Sequence, residues 1–161
     1  TIAKTIAQSG NFTNLYVEGF DWLDKPHFPF WITAISFQVF GINSFAYKLP
    51  GFVFWLFGLL LTYLLARKIY NRQAAQVSVL VYMVALHTVI ANFDVRAEPY
   101  LTTLTIGSIY YFYCDYKERN WRYLLAAAFL AACAVMTKGI FALLTIGGGF
   151  VVAFGFVREK H

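Results

Sequence analysis

Asp24-Lys25-Pro26-His27 sets a carboxylate, an ammonium and an imidazole side by side in a chain that is otherwise strongly apolar. Adjacent Asp and Lys do not enter hydrocarbon, and Pro26 keeps a helix from carrying them inward. The ammonium suits a phosphate as a compact point charge, and the carboxylate suits a hard divalent cation. The imidazole could ligate a metal or titrate near neutral pH, although a loop histidine beside Phe28 and Trp31 is first expected to pack on a ring. The tetrad is the leading candidate for a polar binding site.

Two further charged groups stand at similar junctions between apolar runs. The segment Asn92-Phe93-Asp94-Val95-Arg96-Ala97-Glu98-Pro99 carries two acids and one arginine, and Thr137-Lys138-Gly139 carries one lysine. Asp94 and Glu98 are four residues apart and would share a face if a helix were already running. Pro99 favours the other option, with Glu98 at a helix N-terminus near the positive end of its dipole. The plain expectation for these groups is solvated loop charge, with Lys138 snorkelling from a helix end.

The elements that must position these residues are membrane helices. Of the 161 residues 60% are hydrophobic, 20% aromatic and only 13% charged, which excludes an ordinary soluble domain. The expected fold class is all-α, a polytopic helical bundle with about five transmembrane helices: 51–66, 74–92, 101–113, 121–137 and 139–157, each near membrane-crossing length once flanking turns are counted. The run 28–41 is too short to span and suits a helix at the membrane surface; 1–9 has a short amphipathic pattern. Residues 1–44 thus read as an outer segment with juxtamembrane helices and 45–161 as the spans.

Five spans place Arg67, Lys68, Arg72, Lys117, Arg119, Arg122, Arg158 and Lys160 on one side. Lys4, Lys25, Lys48, Arg96 and Lys138 fall on the other. The positive-inside rule makes the first side cytoplasmic, so the tetrad faces outward. The excess positive charge belongs to that inner rim, which anchors the protein to membrane lipids and gives no case for nucleic acid. Cys114 and Cys133 read as packing thiols, and His87, mid-span, as a hydrogen-bonded structural group.

The residues also carry a family resemblance. Phe20-Asp21-Trp22-Leu23-Asp24-Lys25-Pro26-His27-Phe28-Pro29-Phe30-Trp31, followed by Phe40-Gly41 and Lys48-Leu49-Pro50, resembles the first outer loop of glycosyltransferase family 39 and the aminoarabinose-transferase-like group. Glu98-Pro99 resembles that family's acidic-Pro start of a later span, and Thr137-Lys138-Gly139 its Thr-Lys-Gly turn. The resemblance implies an inverting membrane glycosyltransferase of the GT-C class. Such an enzyme takes a sugar from a polyprenyl-phosphate donor on the outer side and passes it to a lipid, protein or glycan acceptor.

Residue by residue, the resemblance implies donor-phosphate binding by Lys25, with Arg96 and Lys138 on the same wall. It gives Glu98 and Asp94 an acidic role in orienting the acceptor or a basic partner. It allows a divalent metal as cofactor at Asp24, with His27 a weak second ligand in place of the family's usual second proline. The family's catalytic base, an Asp in an Asp-Glu pair, would lie upstream of Thr1, so the chain is expected to be an N-terminal fragment, inactive alone. A transporter or flippase, which needs ionisable groups at mid-bilayer depth, and a non-catalytic assembly subunit are the alternatives.

Overall fold

The computed structural model describes residues 2–13, 16–17, 20–21, 27–85 and 96–148. The elements in chain order are α1 (Ile2–Ser9), β1 (Tyr16–Val17), β2 (Phe20–Asp21), α2 (Phe28–Phe40), α3 (Ser44–Ile69), α4 (Arg72–Val84), α5 (Glu98–Glu118) and α6 (Trp121–Lys138). A last helical stretch, α7, is described over residues 141–148. Among the described residues the fold is all-helical apart from the two-residue antiparallel pairing of β1 with β2, which periodicity in so short a stretch does not announce.

Asparagine starts three of the helices. Asn43, Asn71 and Asn120 are extended residues whose side-chain oxygens accept from the backbone N–H of Ala46, Ala74 and Arg122, at 2.8, 2.9 and 3.1 Å. Each thereby satisfies one of the donors a helix start leaves unpaired. α2 and α5 begin differently: Phe28-Pro29 and Glu98-Pro99 put proline in the first turn, where its missing N–H costs nothing. Glycine ends α6, Gly139 taking φ +77° as its N–H reaches the Val135 carbonyl at 2.7 Å.

The helices pack as a chain of hairpins, with α1 on α2, α2 on α3, α3 on both α4 and α5, and α5 on α6. Their seams are small and polar. Thr103 Oγ1 on α5 donates to the Phe54 carbonyl on α3 (2.6 Å), and Ser108 Oγ donates to the Ala127 carbonyl on α6 (3.1 Å). A Cβ on Gly107 would meet Leu130 at 3.0 Å and Leu61 at 3.1 Å, so its absence lets α5 sit between α3 and α6. The outer surface is apolar instead: Leu56, Leu60, Leu80, Val84, Phe129 and Leu144 are all exposed. Polar seams with an apolar exterior are the pattern of a protein dissolved in lipid.

α3 and α6 are long and apolar enough to cross a membrane. α5 has the length, 21 residues, but is rich in Thr and Tyr. The second and fifth expected spans are described only as far as residues 85 and 148. The remaining residues of both expected spans, and with them His87, lie outside the described residues. α2 covers 13 residues, about 20 Å at 1.5 Å per residue, and matches the expected non-spanning helix.

One junction explains how α2 is fixed. Pro50 lies inside α3 and has no N–H, so the Ala46 carbonyl four residues earlier loses its helical partner. Ser36 Oγ on α2 donates to that carbonyl at 2.7 Å, in a buried contact. α1 packs on α2 beside this junction, Ile2 and Ile6 burying against Ala34 and Ala3 against Phe37 and Ala46, while Trp31 Nε1 donates to the Phe12 carbonyl at 2.7 Å.

Candidate functional site

The candidate site stands at the end of the bundle where α5 begins and α6 stops. Glu98 is the first residue of α5 and Lys138 the last of α6. Lys138 Nζ donates to Glu98 Oε1 at 3.1 Å across 40 residues of sequence. The charges complement their helices, the carboxylate at the positive end of one dipole and the ammonium at the negative end of the other. The side chains are 27% and 52% exposed, so the pair is open to a ligand rather than sealed in the core.

Partial burial alone would raise the Glu98 pKa. A hydrogen bond from its own backbone, the hydrogen bond from Lys138 and the positive charges of Lys138 and Arg96 outweigh it, holding the carboxyl below its ordinary value. Glu98 is therefore a fixed anion in the neutral range. Arg96 is exposed two residues ahead and adds a second cation to the same mouth.

Below this mouth lies an aromatic plug. Tyr100 on α5 is 1% exposed, its ring 4.7 Å from that of Phe54 on α3 and 6.4 Å from that of Phe28 on α2; Phe28 also meets Phe54 edge-on. The plug seats the first turn of α2, and His27 immediately before it, at the Glu98 end. His27 packs its ring on Trp31 at 5.5 Å, the plainer of the two expectations. Asp24, Lys25 and Asp94 lie outside the described residues, so neither the tetrad's charges nor a shared Asp94–Glu98 face is placed. With α5 beginning at Glu98, the helix-start option is the one that holds for this glutamate.

The opposite end of the bundle has its own pair. Lys68 Nζ at the end of α3 contacts Glu118 Oε1 at the end of α5 at 2.5 Å and Cys114 Sγ at 3.2 Å. This hydrogen bond holds the Glu118 carboxyl below its ordinary value. α5, 21 residues or about 30 Å long, separates the two lysine–glutamate pairs. Their separation agrees with the expected division of charges between two membrane sides.

Sequence reasoning kept a carboxylate at Glu98 and a lysine at Lys138 but did not join them. It also missed the Tyr100 plug and the Ser36 contact. The second had a readable signal, because a proline within a helix leaves a carbonyl unpaired four residues before it.

Among the described residues no three His, Cys, Asp or Glu side chains gather as a metal cluster would require. What the geometry defines is a polytopic helical membrane protein whose charged mouth combines one carboxylate with cations, above an aromatic plug. The family model for dolichyl-phosphate-mannose-protein mannosyltransferase matches residues 24–160, and the chain belongs to that family. A protein of Aquifex aeolicus with no assigned role is 30% identical over 96% of this chain and 30% of its own length. The undecaprenyl phosphate-alpha-4-amino-4-deoxy-L-arabinose arabinosyl transferase of Wigglesworthia glossinidia brevipalpis is 26% identical over 89% of this chain and 26% of its own.

Among solved structures, ArnT from Cupriavidus metallidurans shares the fold. In the apo state it superposes with a TM-score of 0.84 at 18% identity, over 98% of this chain and 30% of that one. Bound to undecaprenyl phosphate, with the same identity and coverage, it gives 0.72. The chain spans less than a third of the length of these relatives.

Proposed function

We propose that this chain forms the phosphate-receiving part of an integral-membrane glycosyltransferase. The enzyme moves a sugar from a polyprenyl-phosphate donor to a lipid, protein or glycan acceptor, at the outer, periplasmic face of a bacterial inner membrane. The observation that carries the reading is the Glu98–Lys138 pair. It joins the acidic-Pro helix start to the Thr-Lys-Gly turn at the end of the bundle where Phe28, next in sequence after His27, packs on Tyr100. Support comes also from the relatives, one named for undecaprenyl phosphate in its transferase activity and one crystallised with it.

In this reading Lys25, Arg96 and Lys138 neutralise the donor phosphate as it becomes the leaving group, the charge that grows in the transition state. An ammonium has three donors, so Lys138 can keep one on Glu98 and offer others to a phosphate oxygen. Glu98, a low-pKa anion already engaged, is poorly suited to be the base that activates an acceptor hydroxyl. It is a positioning residue for Lys138. The base is assigned to another carboxylate, expected upstream of Thr1, and Asp94 to acceptor orientation. A divalent ion at Asp24, with His27, is the proposed accompaniment; activity lost to a chelator and restored by magnesium or manganese supports it, and activity indifferent to chelation assigns the phosphate to the cations alone.

The test is transfer by the full-length protein in proteoliposomes from a polyprenyl-phosphate sugar. Lys25→Ala and Glu98→Ala variants that insert normally are expected to lose transfer. Wild-type rates in both would remove the site assignment.

A further inference from the structure

The hairpin of α3 and α4 has a groove that the proposed transfer reaction does not use. It holds about 560 Å³, within the range of small-ligand pockets, and is lined by Leu59, Leu60 and Tyr63 on α3 and Gln76, Val79 and Leu80 on α4. Both helices rise equally per residue, so the lining forms rungs: Leu60 stands level with Val79, and Tyr63 with Gln76. One helical turn further toward the hairpin tip, the same faces present Arg67 and Arg72. Apolar side chains line the body, with Tyr63 and Gln76 toward one end, and helical periodicity carries the same two faces on to Arg67 and Arg72 beyond that end.

The charge beyond that end has no counter-ion in its own hairpin. From Ser44 to Val84 the sequence carries four cations, Lys48, Arg67, Lys68 and Arg72, and no acid. Lys68 is taken by Glu118 on another face. Arg67 and Arg72 are exposed and make no ion pair among the described residues. An arginine fork suits a phosphodiester, and a basic mouth above an apolar cleft between membrane helices suits a lipid of the same sign preference.

We propose that this groove binds one anionic phospholipid, its acyl chain along Leu60, Val79 and Leu80 and its phosphate between Arg67 and Arg72. The groove's body runs beside the middle of α5, just past Gly58 and Thr103; its arginine end neighbours Lys68, toward the Glu118 end of α5 and about 20 Å along that helix from Glu98, so the proposed phosphate position is distinct from the donor site. That the lipid comes from the cytoplasmic leaflet rests on the proposed orientation; the groove's preference for an anion rests only on its own residues. A single held lipid would brace the α3–α4 hairpin.

The experiment uses the full-length protein in symmetric nanodiscs, so its outcome depends on neither orientation nor transferase activity. Val84→Trp places a reporter one turn beyond Leu80 on the groove face, and Leu56→Trp places one on α3 should the first variant fold poorly. Quenching of the added tryptophan, read against the parent protein, is followed as dibrominated phosphatidylglycerol or dibrominated phosphatidylcholine is titrated in. The expected result is half-quenching at about tenfold or more lower mole fraction of the glycerol lipid, a preference that R67A/R72A abolishes and Arg119→Ala retains. Equal quenching by the two lipids overturns the proposal, as does a preference that survives R67A/R72A. Absence of quenching by either lipid means that protein covers the groove, and equally overturns it.

Discussion

Lys138 shows what one residue can be asked to do. Its ammonium is held by Glu98 at 3.1 Å and remains half exposed, a preset charge at the place where the proposed donor phosphate arrives. Lys138→Ala is expected to raise the donor KM about ten- to a hundredfold, the worth of a charge-assisted hydrogen bond, and Lys138→Arg to recover part of that in proteoliposome kinetics. Glu98 contributes through a depressed pKa. Its stabilisation is therefore full above the ordinary carboxylate range, about pH 4 to 5, and fades as pH falls through the lower folded value. Thermal unfolding of wild type and Glu98→Gln should differ by a modest margin at pH 7, about 0.2–1 kcal/mol for so exposed a pair, and converge in acid. The sequence already marked both residues, because charges at the ends of apolar runs are rare. It could not pair them, since a contact between residues 40 apart is made by helix packing and leaves no local pattern.

Among the elements, α2 is the one whose placement depends most on a single side chain. Ser36 replaces the backbone partner that Pro50 removes from Ala46, so Ser36→Ala leaves a buried carbonyl unpaired. The expected cost is about 1–3 kcal/mol in unfolding free energy, with α2 loosened from α3 before the rest of the bundle yields. Gly58→Ala tests the α3 seam: its Cβ would lie 2.7 Å from Thr103 Oγ1 and 2.8 Å from Tyr82 Oη. Those contacts force α5 or α4 away, and thermal unfolding should fall by several degrees. Helix starts were legible where chemistry is local, as at Glu98-Pro99. The spans were legible from apolar length, although α3 extends beyond the predicted 51–66 at both ends: Asn43 caps it eight residues before the apolar run begins, and the helix continues through Arg67 and Lys68 to Ile69.

At the scale of the whole molecule, two lysine–glutamate pairs mark the opposite ends of α5, and the positive-inside count proposes which of those ends faces out. The proposed orientation predicts that Phe45→Cys, at the Glu98 end, reacts with an impermeant maleimide on intact cells. Tyr70→Cys, at the hairpin tip, should react only once the membrane is opened. The reverse pattern would invert the protein and take the donor site off the outer face. The family was legible because three short motifs keep their order along the chain; how they meet was not, since Lys25 and Asp24 precede α2 by a few residues while Lys138 ends the sixth helix.

The central claim is that these distant cations serve one phosphate. A double-mutant cycle on polyprenyl-phosphate sugar affinity tests it, with Lys25→Ala, Lys138→Ala and the pair measured in the full-length protein. Residues that share the phosphate should couple, the double variant departing from the product of the single effects by about fivefold or more. Single effects that multiply without coupling, or that are absent, would contradict the account.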